Sequence, residues 1–222
     1  MATTVTAQNL RPPQQPRLPG APLDYDPNYA NQLNNVLRLY FNQLDNAFTS
    51  LLNSGGGAYL RAPYGAFSDF TDQTTTANTA TLMALGTTDF SNQVSVTSSK
   101  ITVQNAGIYN LQFSAQFQNT DNAIQDISIW LRQNGTDIPG STGLVSIPAR
   151  KSASAGEEAH QITGWNYYVS MAANDYIQIY WSTTLASVTI QTYAASTGPI
   201  RPSTASVVAT MSFVSALPIA AV

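Results

Sequence analysis

From residue 94 onward the apolar residues recur two apart in short runs, and no segment of useful length carries the 3.6-residue period of a helix. Val94, Val96, Ile101 and Val103 stand in the alternation that a half-buried strand requires. Further runs occupy residues 108–117, 127–131, 162–171, 176–181, 188–193 and 207–214. Turn-forming residues separate several of them: Asn105-Ala106-Gly107, Asn134-Gly135 and Asn174-Asp175. Strands this short and this numerous predict a mainly β domain over residues 58–222, a sandwich or jelly roll. No internal repeat points to a propeller or solenoid.

Two segments precede it. Residues 1–27 hold six of the chain's 12 prolines and few apolar side chains. They predict either a tail without fixed structure or an extended arm lying along a partner. Leu10, Pro12, Pro13, Leu18, Leu23 and Tyr25 are the candidate anchors of such an arm. Residues 28–57 predict a helical stem ended by Gly55-Gly56-Gly57, with Asp26 as N-cap and Pro27 at the first helical position. Leu33, Leu37, Tyr40, Leu44, Ala47 and Leu51 alternate in steps of four and three. Val36, Phe41, Phe48 and Leu52 widen that stripe beyond a two-stranded seam. It fits packing on its own domain, a short trimeric bundle, or docking into a larger assembly.

Charge is scarce: 9% of residues are charged, while 79 are Ser, Thr, Asn or Gln. A net charge of -3 with two lysines, Lys100 and Lys151, supplies no basic stripe for nucleic acid. No apolar run reaches the ~18 residues of a membrane span. The segment MATTVTAQNL has neither a cationic nor an apolar signal region, so synthesis in a cytoplasm is expected. Cys is absent, which removes disulfides and thiolate chemistry.

Catalytic groups are equally sparse. His160 is the one histidine and lies in a polar segment, residues 151–160, that predicts an exposed loop. Glu157, Glu158 and His160 are the nearest approach to a metal set, but a solvated loop explains them, so no metal and no cofactor is expected. Asp69 with Asp72, and Asp121 with Asp126, have the composition of glycosidase carboxylate pairs. Both pairs sit in turn contexts, where Asp caps backbone N–H groups. No catalytic residue is assigned.

The segment Lys100-Ile-Thr-Val-Gln-Asn-Ala-Gly-Ile-Tyr-Asn-Leu-Gln-Phe-Ser-Ala-Gln-Phe117 resembles the signature of tumour-necrosis-factor and complement-globular-head jelly rolls. The hairpin Ile129-Trp-Leu-Arg-Gln-Asn-Gly-Thr136 and the stretch from Trp165 to Trp181 follow in the order of that family, over residues 64–214. Gly65-Ala-Phe-Ser-Asp-Phe-Thr-Asp-Gln73, Thr87-Thr-Asp-Phe-Ser91 and the Pro-rich leader with Asn35-Val-Leu-Arg-Leu-Tyr-Phe-Asn-Gln-Leu-Asp45 are similar to small virion proteins of tailed bacteriophages. These resemblances imply a homotrimer with a virion-anchoring N-terminus, a helical stem and an outward jelly-roll knob. Tyr167, Tyr176, Tyr180, Trp181 and Tyr193 offer more aromatic area than one sandwich core needs, and they are the candidate trimer-interface residues.

The expected function is that of a non-enzymatic capsid decoration, knob or head-fibre protein on the virion surface. Its partners would be two further copies and the major capsid protein or tail and portal-associated proteins. The alternative is a tail fibre or glycan-adhesive receptor-binding protein, with Asp121, Asn122, Arg150 and Lys151 as loop contacts to a host surface glycan. A depolymerase is a third reading.

Overall fold

The computed structural model describes residues 13–52 (side chains to residue 49), 62–152, 154 and 157–216. The chain divides into two units, Met1–Arg61 and Ala62–Val222.

In the first unit, helix α1 (Pro27–Leu52) follows a segment without regular structure. The Asp26 carboxylate accepts the Asn28 N–H at 2.8 Å, and the Asp26 carbonyl accepts the Ala30 N–H at 3.1 Å. Pro27, which has no N–H to satisfy, opens the first turn. Leu33, Leu37, Tyr40, Leu44 and Ala47 are all half-buried and fall on one stripe, while Phe41 and Phe48 beside it are more than half exposed. No described side chain of α1 is fully buried. The Leu51 side chain, Leu10, Pro12 and the Gly55–Gly57 stop lie outside the described residues.

The second unit is mainly β. Its strands are β1 (Tyr64–Asp69), β2 (Thr81–Leu82), β3 (Thr87–Asn92), β4 (Val94–Thr97), β5 (Lys100–Val103) and β6 (Gly107–Asn119). They continue with β7 (Gln125–Gln133), β8 (Thr136–Asp137), β9 (Gly143–Ile147), β10 (Ala159–Thr163) and β11 (Asn166–Met171). The last are β12 (Tyr176–Thr183), β13 (Val188–Ile190), β14 (Ser196–Thr197), β15 (Ile200–Arg201) and β16 (Val207–Ser215). The first sheet runs β10–β6–β16–β1–β3, with β11 and β13 also on β6. The second runs β4–β5–β12–β7–β8, with β2 on β12 and β9 on β7. The paired strands are antiparallel, and four pairings nest in chain order: β1 with β16, β5 with β12, β6 with β11, and β7 with β9.

Both sheets contribute to one core. Alternate residues of β6 (Tyr109, Leu111, Phe113, Ala115, Phe117) meet Ile177, Ile179 and Trp181 of β12 there. Phe117 and Trp181 cross edge-on at 5.7 Å between ring centroids.

Turn chemistry acts where it is expected at Asn134-Gly135. Both residues have positive φ, 50° and 83°, and they join β7 to β8 as a two-residue loop. The apolar run 162–171 is not one strand. Gly164 presses against β6 so closely that a Cβ would stand 2.0 Å from the Phe113 carbonyl oxygen. The chain breaks there into β10 and β11, which pair with opposite halves of β6. The run 188–193 is strand only over Val188–Ile190, although the Gln191 N–H still bonds the Gln116 carbonyl at 2.8 Å in register with β6. His160 is not in a loop either: it lies in β10, paired with Gln118.

Candidate functional site

The outer faces of the two sheets differ in chemistry. Strands β6, β10, β11, β13 and β16, the centre and one flank of the first sheet, contain no Asp, Glu, Lys or Arg. Because odd-numbered β6 residues fill the core, Asn110, Gln112, Ser114, Gln116 and Gln118 line the outside. Their cross-strand neighbours include Tyr168 beside Asn110, Val208 beside Ser114 and Ile162 beside Gln116. Tyr168 is 59% exposed and Ile162 65%. The Asn110 side-chain oxygen is sealed from solvent without a hydrogen bond. One row of amides and hydroxyls, rimmed by exposed apolar groups, makes this face uncharged.

The outer face of the second sheet carries charges and rings. Trp130 and Tyr180 are cross-strand partners whose rings stack at 5.9 Å and 29°. The Arg132 guanidinium stands 4.0 Å from the Tyr180 centroid. Asp137 Oδ1 accepts the Trp130 Nε1–H at 2.8 Å and the Arg132 Nε–H at 2.7 Å. The Arg132 bond, with that from Trp130, holds the Asp137 carboxyl below its ordinary value. Lys100 Nζ lies 4.4 Å from the Tyr176 centroid.

The five aromatic interface candidates do not share a surface. Trp181 is 0% exposed and fills the core against Phe117, so its place at a subunit seam is corrected: a ring with no surface left has none to bury. Tyr167 pairs with core residue Leu111 and packs inward, while its neighbour Tyr168 faces out. Tyr176 and Tyr180 lie on the second sheet's outer face. Tyr193 meets His160 in β10, its hydroxyl 3.0 Å from Nδ1. Burial, then the Asp72 and Glu158 charges, push the Tyr193 hydroxyl up, against the Arg201 guanidinium. In the first unit, Pro13 is half-buried, whereas Leu18, Leu23 and Tyr25 are exposed. Leu23 and Tyr25 line a shallow cleft with Tyr29, Ala30 and Leu33 of α1.

The carboxylates hold loops. Asp69 accepts the Thr71 N–H at 2.8 Å, and Asp72 accepts the Thr192 N–H at 2.9 Å. Asp121 binds the Asn122 N–H and the Gln125 amide, both at 2.7 Å, and Asp126 takes the Ser146 hydroxyl at 2.6 Å. Asp121, Asn122 and Arg150 do come together at one end of the sheets, through an Arg150 N–H to Asp121 carbonyl bond of 2.8 Å. The Arg150 guanidinium, however, is spent on the carbonyls of Thr120, Ser152 and Ser154. It staples the loop rather than reaching outward. Among the described residues no three His, Asp or Glu side chains gather as a metal set. No described helix is long and apolar enough to cross a membrane.

Sequence reasoning missed the β6 amide row and the Trp130–Arg132 cluster. The signal for the first was present in residues 110–118, where Asn, Gln and Ser stand at every outward position that a solvated strand commonly gives to Lys or Glu.

No protein-family model matches the chain, and no curated protein matches it at a significant level.

Proposed function

We propose that the chain is a non-enzymatic structural protein of a bacteriophage virion, a homotrimeric capsid decoration, knob or head-fibre protein. The β unit is its outward jelly roll, and the arm and helix anchor it to the particle. The observation that carries this reading is the outer face of β6, β10, β11, β13 and β16 in the first sheet, which bears no Asp, Glu, Lys or Arg. Placing that face against other copies removes no ionised group from water, so the large desolvation penalty of buried charge does not arise. Its amides and hydroxyls can exchange hydrogen bonds across a seam.

Two further features agree. The nested pairings β1–β16, β5–β12, β6–β11 and β7–β9 follow the wrapping of a double Greek-key jelly roll. The α1 stripe of Leu33, Leu37, Tyr40, Leu44 and Ala47 keeps a heptad spacing with Phe41 and Phe48 alongside, the width that suits three helices.

The test is localisation. Phage particles assembled with an epitope-tagged copy of the chain are labelled and imaged by electron microscopy. The expected result is label at regular positions on the head or neck, lost when residues 1–27 are deleted. Label confined to the soluble fraction would overturn the proposal.

A further inference from the structure

We infer that the outer face of the second sheet is a saccharide-binding site centred on the side-chain amide of Gln178. On β12 the residues Ile177, Ile179 and Trp181 enter the core, so Tyr176, Gln178 and Tyr180 turn to the outside. Gln178 is only 6% exposed, yet neither of its amide atoms is sealed from solvent, and no side-chain hydrogen bond ties the amide among the described residues. An amide with two donors and a carbonyl acceptor that no protein group holds can turn those hydrogen bonds to an incoming hydroxyl.

The surroundings suit the same ligand. Gln178 pairs across the ladder with Arg132, whose guanidinium lies on Tyr180, and Trp130 stacks on that ring from its own strand. On the other side Lys100 covers Tyr176. Rings and N–H donors therefore alternate within one short stretch of sheet, the mix of apolar surface and few polar groups that fixes a small ring-shaped ligand. Asp137 holds Trp130 and Arg132 in place, so a ligand orders few new rotamers. The chemistry disfavours a nucleic-acid backbone: Asp137 neutralises Arg132, which leaves too little positive charge to compete for phosphates. A polyhydroxylated sugar needs no such charge.

The inference rests on the assembly proposal in one respect: the first sheet is covered and the second faces outward. Full-length chain is therefore applied to an array of short neutral, amino and uronic-acid oligosaccharides, with sedimentation measured on the same samples. The expected result is retention of at least one class. Gln178→Met and Lys100→Met should each weaken it about tenfold, the worth of one neutral to charged hydrogen bond, without changing the sedimenting species. Lys100→Met, at a half-exposed position, carries the comparison if Gln178→Met does not fold. Retention of no oligosaccharide, or equal retention by the folded variants, overturns the inference. Selective retention by a chain that sediments as a monomer upholds the site and overturns the assembly instead.

Discussion

Asn134 and Asp175 lock two turns of the second sheet to each other. The Asn134 amide donates to Asp175 at 2.7 Å, and the Asn134 side-chain oxygen accepts the Tyr176 N–H at 3.0 Å. Asp175 also takes the Ala172 N–H at 2.8 Å and the Gln133 amide at 3.1 Å. The β7–β8 hairpin and the turn leading into β12 thus share one carboxylate.

That sharing sets an acid limit. Burial alone would raise the Asp175 pKa, but the bonds from Asn134, Ala172 and Gln133 outweigh it and hold the group below 3.8. A depressed folded value means that the stabilisation is present above the unfolded value and is lost as pH falls through the folded one. Thermal melts should therefore show Tm dropping below about pH 4. Asp175→Asn should flatten that acid limb and lower Tm at neutral pH; an unchanged limb would remove Asp175 from the account.

Gly164→Ala should be among the most damaging single changes in the β unit. The added methyl would collide with the Phe113 carbonyl and the Ser114 Cα at the junction of β10 and β11. A loss on the order of 3 kcal/mol is expected in denaturant titration, in the range of strain and overpacking mutations. Gly20→Ala, with open space around it, should change nothing measurable.

Trp181 and Tyr180 are neighbours in β12 with opposite roles. Trp181→Ala should cost about 3–5 kcal/mol, because it empties the core beside Phe117. Tyr180→Ala should cost roughly 1 kcal/mol, the scale of a cross-strand pair on an outer face. Similar losses for both in denaturant titration would contradict the division between core and surface.

Gln112→Lys places one charge in the uncharged row of β6. Gln112 is exposed in the single chain, so the β unit should keep its stability within about 0.5 kcal/mol. Association should weaken strongly, since a lysine at a seam must be buried without a partner. Unaltered association, read by light scattering, would show that this face is not the seam.

The sheet-forming runs were legible wherever both alternation and turn chemistry were strong. Residues 108–117 and 176–181 fall within β6 and β12, and Asn134-Gly135 makes the tight hairpin. Strands β1 and β3 were not legible, because they lie toward one edge of the first sheet and take their structure from neighbours: β3 exposes nearly every residue. The kink at Gly164 was hidden for a related reason, since only the approach of β6 makes that glycine necessary. The aromatic excess was legible, but its direction was not. Alternation in β12 sends Trp181 inward and Tyr180 outward, and a register one residue different would have exchanged them. The amide row of β6 was present in the composition as scarce charge, yet its gathering on one face depends on which side of the sheet the core occupies.

Sedimentation velocity of the full-length chain at micromolar concentration tests the central claim most directly. The account predicts one species at three times the 23.8 kDa of a single chain, converted to smaller species by Gln112→Lys. A single species at 23.8 kDa, unchanged by that substitution, would contradict it.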